Sequence, residues 1–351
     1  MSNPWPWAAE FEPTGVYLNS ATMGLPPKAT LDALGEAIEE WRRGVASAPG
    51  YDAVINRARA TWARMVHVPV DNVAIGSQVS PLVGLVASAL PDGATVLVPE
   101  GEFTSVTFPF AAHAARGIRV VEAPLAEIAE HIDANTALVA LAAVQSADGE
   151  IAPLEAVAAA ADRHGVDVLV DLTQATGWLE VDASRFAYAV CGAYKWLLSP
   201  RGTAFLAVRP DRWDSLVPTA AGWYAGEAPW SSIYGLPLRL AATARRFDVS
   251  PGWQAWVGTA ASLDLLDRIG APVLQAHAVE VEAAFAAGAA LEPVGRAIRA
   301  LEADAEVPGL LAAHGIVAAE RAGRLRVSFH VNNTVEEAHA AGLLLRGHVT
   351  G

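Results

Sequence analysis

A lysine placed directly after an apolar run is the residue in this chain best placed for chemistry. Lys195 follows Phe186–Cys191 and stands between Gly192 and Trp196. An amine held near the end of a buried strand is desolvated, and desolvation makes it nucleophilic. Upstream, the apolar run Val166–Val170 ends in Asp171, with Gln174 three residues on. Other apolar runs end in the same way. Ser77, Gln78 and Ser80 follow one, Glu102, Thr104 and Ser105 a second, Gln145 and Ser146 a third.

The elements that carry these residues alternate strand with helix from Val73 to Val208. That alternation predicts a largely parallel sheet with helices on both faces. Ligands of such sheets sit beyond the carboxyl ends of the strands, so the polar residues above belong to one rim. Ser80 is a plausible helix N-cap with Pro81 at the first helical position. A small-residue turn entering a helix suits a phosphate. The turn after Val73–Ile75, Gly76-Ser-Gln-Val-Ser-Pro, lacks the glycine pattern of a nicotinamide-dinucleotide site.

Ahead of the sheet, helices are expected over Lys28–Arg43, with Leu31, Leu34, Ile38 and Trp41 on one face, and over Tyr51–Val66. Thr219 to Trp256 is long, aperiodic and rich in Gly, Pro and Trp, the signature of a functional loop or an interface. Trp256–Ala290 reads as helical. Ile298–Glu302, Val307–His314, Ile316–Phe329 and Val335–Leu345 read as strand, helix, strand pair and helix of a small α+β domain. Asp182 and Arg185 read as a turn with a solvated pair, and His330 as a structural hydrogen-bonder.

Composition narrows the function classes. The 351 residues are 53% hydrophobic and 18% charged, which argues against disorder. A net charge of −14 makes nucleic acid and anionic membranes poor partners. One cysteine, Cys191, excludes an intramolecular disulfide and a Cys-rich metal site, and no metal site is expected. The N-terminus, MSNPWPWAAEFEP, has no basic region leading into an apolar one, and no apolar run approaches a membrane span. A cytoplasmic protein is expected.

A reactive lysine, a phosphate-binding helix terminus and a strand-end aspartate together fit pyridoxal 5′-phosphate. The stretch VLVDLTQATGWLEVD…GAYKWLLSPRG resembles the aminotransferase class V family, within fold type I of the pyridoxal-phosphate enzymes. YLNSATMG near the start, RRFDVSP in the middle and LRVSFHVNNTVEEA near the end extend the resemblance over nearly the whole chain. It implies a large domain with a mainly parallel seven-stranded sheet between helices, and a small C-terminal α+β domain. The expected divisions are an active-site arm over residues 1–30, a cofactor domain over 31–260 and a small domain over 261–351.

By the same resemblance, Lys195 forms the Schiff base and shuttles the Cα proton, and Asp171 pairs with the pyridine nitrogen. Gln174 meets the ring hydroxyl, and Phe103 stands where many relatives stack a histidine. Val79, Ser80 and Tyr194 serve the phosphate, joined by Ser250 from a neighbouring subunit, which implies a homodimer with shared sites. Arg326 takes the substrate carboxylate, although strand alternation puts Arg324 on the same face. Asn19, Ala21, Thr22, Ser146 and Trp223 line the substrate pocket.

Departures from the family pattern bear on the reaction. Cysteine desulfurases carry a mobile cysteine well after the lysine, whereas Cys191 precedes Lys195 on the apolar run, where a thiol is an inert packing group. Gly192-Ala193 replaces a serine, and the stacking histidine is missing. The expectation is an enzyme acting on a small-molecule amino-acid substrate, a C–S or related β-lyase. An aminotransferase, an epimerase, or a silent scaffold of the same fold are the alternatives.

Overall fold

Residues 5–351 are described by a computed structural model; the first four residues of the expected arm lie outside the described residues. Strand β1 (Val16–Tyr17) precedes helices α1 (Lys28–Arg42) and α2 (Tyr51–Met65). Next come β2 (Val73–Gly76), α3 (Val79–Ala89), β3 (Thr95–Pro99), α4 (Thr104–Ala111) and β4 (Arg119–Ala123). They are followed by β5 (Thr136–Ala142), α5 (Leu154–His164), β6 (Asp167–Asp171), β7 (Tyr188–Gly192) and β8 (Ala204–Val208). These strands form one seven-stranded sheet in the order β2-β8-β7-β6-β5-β3-β4. Only β8 runs against its neighbours. The central strands are apolar between their ends because both faces are covered, and β6, β7 and β8 are buried along almost their whole length.

Helices α6 (Trp253–Ile269) and α7 (Ala271–Ala289) occupy the stretch that reads as one helical segment. Gly270, at φ 86°, breaks it into two. The small C-terminal domain follows: β9 (Ile298–Ala303), α8 (Val307–Ala313), β10 (Ile316–Val317), β11 (Ala319–Arg321), β12 (Arg324–Ser328), α9 (Val335–Leu345) and β13 (Val349–Thr350). Its antiparallel sheet has the order β11-β12-β9-β13. β1 pairs in parallel with β10, so the N-terminal segment is stitched to the small domain.

Several local expectations are corrected. Helix α3 starts at Val79 because Gln78 is still extended (φ −155°, ψ 159°). Ser80 therefore lies inside the first turn and does not cap it, and Pro81 sits where an N–H would be unpaired anyway. Arg185 pairs with Glu155, while Asp182 accepts from the Ser184 N–H. The apolar face expected of α1 points outward: Leu31, Ile38 and Trp41 are exposed. Small residues make the inner contact instead. Thr30 and Ala37 are buried, and the Thr30 and Ser262 hydroxyls share a 2.7 Å hydrogen bond with α6.

One buried ion pair anchors the strand that leads to the rim. Asp248 accepts from Arg59 Nη1 at 3.0 Å and Nη2 at 2.7 Å, and from the Ile75 N–H at 2.8 Å. Both side chains are out of solvent. Asp248→Ala would leave the Arg59 guanidinium buried without its counter-charge. A loss of about 3–5 kcal/mol in a urea titration is expected; a loss below about 1 kcal/mol would contradict this role.

Candidate active site

The rim residues converge on a cavity beyond the carboxyl ends of β2, β3, β5, β6 and β7. Its wall holds Asp171, Gln174 and Thr173 from the end of β6, Tyr194 and Lys195 from the end of β7, and Phe103 and Ser105 after β3. Ser77, Val79 and Ser80 close it at the N-terminus of α3, and Arg201 and Thr203 line it as well.

Local geometry explains why Lys195 stands where it does. The Leu198 N–H bonds back to the Lys195 carbonyl at 3.1 Å, with Leu198 in the left-handed region at φ 56°. That left-handed conformation, unfavourable for a bulky side chain, is held by the surrounding packing, and with the hydrogen bond it closes the turn that carries the lysine. On the other side Gly24 lies against the same carbonyl, where a Cβ would be 2.0 Å from the oxygen. The Gly24 N–H donates to the Tyr194 carbonyl at 2.9 Å. The N-terminal segment therefore packs directly onto the lysine turn.

Burial sets the electrostatics. It pushes the Lys195 amine from 10.5 to about 8; Asp171 opposes the shift and Arg326 and Arg321 add to it. The Asp171 carboxyl is raised by burial, against hydrogen bonds from Thr173 and the charge of Lys195. Among the described residues no ion pair reaches Asp171. The Lys195 Nζ lies 5.3 Å from the centre of the Phe103 ring. Glu102 sets that ring: it accepts from the Phe103 N–H, the Ala142 N–H and Gln145 Nε2, at 2.7, 2.7 and 2.9 Å.

Gln174 is held on three sides. Its Oε1 accepts from Trp196 Nε1 at 2.7 Å, and its Nε2 donates to the Ala21 carbonyl and Ser146 Oγ, both at 3.0 Å. Arg326 lies behind Ser146, donating to its carbonyl at 2.5 Å and its hydroxyl at 3.2 Å, and to Thr22 Oγ1 at 2.7 Å. Burial lowers the Arg326 guanidinium to about 10, and its Nε has no partner. Arg324, on the same face, pairs with Asp148 at 3.4 Å.

Of the residues singled out in the sequence, Val79, Ser80, Phe103, Ser146, Asp171, Gln174, Tyr194 and Lys195 share this wall. Ala21, Thr22 and Arg326 join it through the bonds just described, and Asn19 opens the turn that carries Thr22. Two are elsewhere. Trp223 packs on Tyr224 and Trp230, whose polar atoms donate to Asp52, so the Trp-rich segment is fastened to α2 and not to the cavity. Ser250 is exposed on the turn after Asp248. Reading the sequence placed Glu102 on the rim without giving it a role, and missed Thr173, Arg201 and Arg321. A count of lysines would have strengthened the choice of Lys195: the chain has two, and the other, Lys28, is surface-paired with Glu12.

The donor set fits one cofactor. Asp171 lacks a cation, the first turn of α3 has no side-chain cap, and Arg201 makes no ion pair among the described residues. A ring with a protonated nitrogen and a phosphate supplies a partner for each. Fold and site define a pyridoxal 5′-phosphate enzyme. A profile of the aminotransferase class-V family matches residues 16–304, and the chain belongs to that family. An uncharacterized aminotransferase of Bacillus subtilis, YcbU, is 30% identical over 81% of each chain. Isopenicillin N epimerase of Streptomyces clavuligerus is 29% identical over 77% of this chain and 73% of its own length. Among solved structures, the cystine C–S lyase C-DES superposes with a TM-score of 0.85 at 22% identity, covering 95% of this chain and 98% of that one. This last likeness is one of fold.

Cys191 lies on β7, fully buried, and burial pushes its thiol up to about 12. At pH 8 it is protonated and shielded. A chromogenic disulfide reagent is expected to titrate one thiol after denaturation and essentially none before; rapid stoichiometric reaction of the native protein would contradict this.

Proposed function

We propose that this enzyme is a β-lyase that cleaves the C–S bond of an S-substituted cysteine. The observation that carries the reading is that Lys195 is the one side chain in the wall fit to exchange a proton near neutral pH. The other titratable groups there are Asp171, Tyr194 and Arg201. Asp171 faces inward as the counter-charge, and burial raises the Tyr194 phenol away from the working range. Phe103 holds the position of a possible second acid or base.

Bound pyridoxal phosphate supplies an electron-accepting ring for a bond broken at the substrate Cα. In this reading the α3 N-terminus, Ser80, Tyr194 and Arg201 hold its phosphate, Phe103 covers its face, and Asp171 keeps its nitrogen protonated. The free lone pair of Gln174 Oε1 accepts from the ring hydroxyl. Arg326 fixes the substrate carboxylate, and Lys195 Nζ takes the Cα proton. The Cβ–S bond then breaks with its electron pair leaving on sulfur. A thiolate leaves far more readily than an alkoxide and needs less help from an acid, because a thiol is a much stronger acid than an alcohol. Expelling an alkoxide, or activating water for β-cleavage, needs a second proton-transfer group. Two-sided epimerisation needs a second base for the same reason. The products are a thiol and, after hydrolysis of the enamine, pyruvate and ammonia.

We further infer a homodimer. The outward apolar face of α1, with Leu31, Ile38 and Trp41, together with Val45 just beyond its end, all more than half exposed, suits a second copy. The arm, cofactor and small-domain divisions at residues 30 and 260 belong to the same proposal. Among the described residues no helix is long and apolar enough to cross a membrane.

The test is an assay of the holoenzyme with S-ethylcysteine, without any oxo acid. Equal amounts of thiol, pyruvate and ammonia are expected. Turnover that appears only when an oxo acid is added, with no thiol released, would replace the lyase by an aminotransferase.

A further inference from the structure

Behind the substrate side of the cavity, two arginines converge on one hydroxyl. Thr22 Oγ1 accepts from Arg326 Nη2 at 2.7 Å and from Arg321 Nη2 at 3.3 Å. The two nitrogens can be no further apart than those bonds laid end to end. Each guanidinium carries its charge, and Arg321 depresses the pKa of both Arg326 and Lys195.

The hairpin of β11 and β12 creates this arrangement. Its register pairs Arg321 with Arg324 and Ala319 with Arg326. Paired residues of antiparallel strands share a face, so all three arginines project to the side of the cavity. Glu320 pairs with Leu325 and falls on the opposite face. Asp148 neutralises Arg324. Among the described residues neither Arg321 nor Arg326 has a carboxylate within ion-pair distance, and the buried Arg326 Nε has no partner at all. Two like charges held this close repel unless anions join them. One substrate α-carboxylate offsets one of them.

We propose that Arg321 is a specificity-determining residue that binds a second acidic group, on the side chain of the substrate. The preferred substrate is then an amino acid with an anionic side chain, and under the lyase reading a cysteine whose sulfur substituent carries a carboxylate. The second part rests on the proposed function; the first does not. Arg326, buried against Ser146, keeps the α-carboxylate. Arg321, exposed at the tip of the hairpin, meets the more distal group.

The test compares S-carboxymethylcysteine with S-ethylcysteine in the wild type and in Arg321→Ala. In the variant, KM for the carboxymethyl substrate is expected to rise about tenfold, the scale of one lost charge-assisted hydrogen bond. KM for the ethyl substrate should stay within about twofold, and Arg321→Lys should restore part of the difference. An equal rise for both substrates would assign Arg321 to the α-carboxylate or to folding, and no rise would leave it no role; either result overturns the proposal. Calorimetry with aspartate and asparagine separates this inference from the lyase reading. Wild-type holoenzyme should prefer aspartate, and Arg321→Ala should lose that preference, even if no cysteine conjugate is turned over. Equal binding of the two, or binding of neither, would overturn the inference.

Discussion

The site depends on an acid and an amine buried in one cavity without meeting. Asp171 ends β6 and Lys195 lies on the turn after the neighbouring parallel strand β7, so the sheet and that turn together fix their spacing. Burial drives each toward its neutral form, the carboxyl upward and the amine downward. Left alone, such a pair destabilises the fold. In the proposed reading, bound pyridoxal phosphate gives Asp171 a counter-charge and Lys195 an electrophile. The surrounding structure serves to keep the two groups apart and dry: the strained turn at Leu198, the close approach of Gly24, and Thr173 bonded to Asp171 and to the Gly192 N–H.

A second layer makes the arrangement rigid. Gln174 links the lysine turn to the N-terminal segment through Trp196 and Ala21, and Ser146 passes that link to Arg326. His330 closes it from the small domain, with its Nε2 at 2.9 Å from the Trp196 carbonyl. Burial lowers the His330 ring to about 3, so it is neutral and serves as a tie and not a proton carrier. Elements far apart in the chain meet within one hydrogen-bonded path. The substrate side and the cofactor side of the cavity are therefore positioned together.

The sheet and the rim were legible in the sequence because they rest on local signals: apolar runs of strand length, each ending in polar residues. The buried histidine and the buried thiol were legible for the same reason. The exposure of Leu31, Ile38 and Trp41 was not, since an apolar stripe reads alike whether it meets the core or another molecule. The place of Trp223 was not legible because aromatic residues in an aperiodic segment do not reveal what they pack on; Trp223 packs on Tyr224 and Trp230, and those two bond to Asp52, far back in the chain. Thr173 and Arg321, and the partners that the rim residue Glu102 bonds to, are set by backbone bonds and hairpin register. Those depend on pairings between distant strands that no single stretch of sequence displays.

The account turns on one covalent position. The holoenzyme, reduced with borohydride and digested, should carry the cofactor on Lys195 in the peptide Phe186–Arg201, in one-to-one stoichiometry. Lys28, the other lysine of the chain, should be unlabelled, and Lys195→Ala should retain no reducible cofactor. Label on Lys28, or undiminished trapping in the Lys195→Ala protein, would contradict the account at its centre.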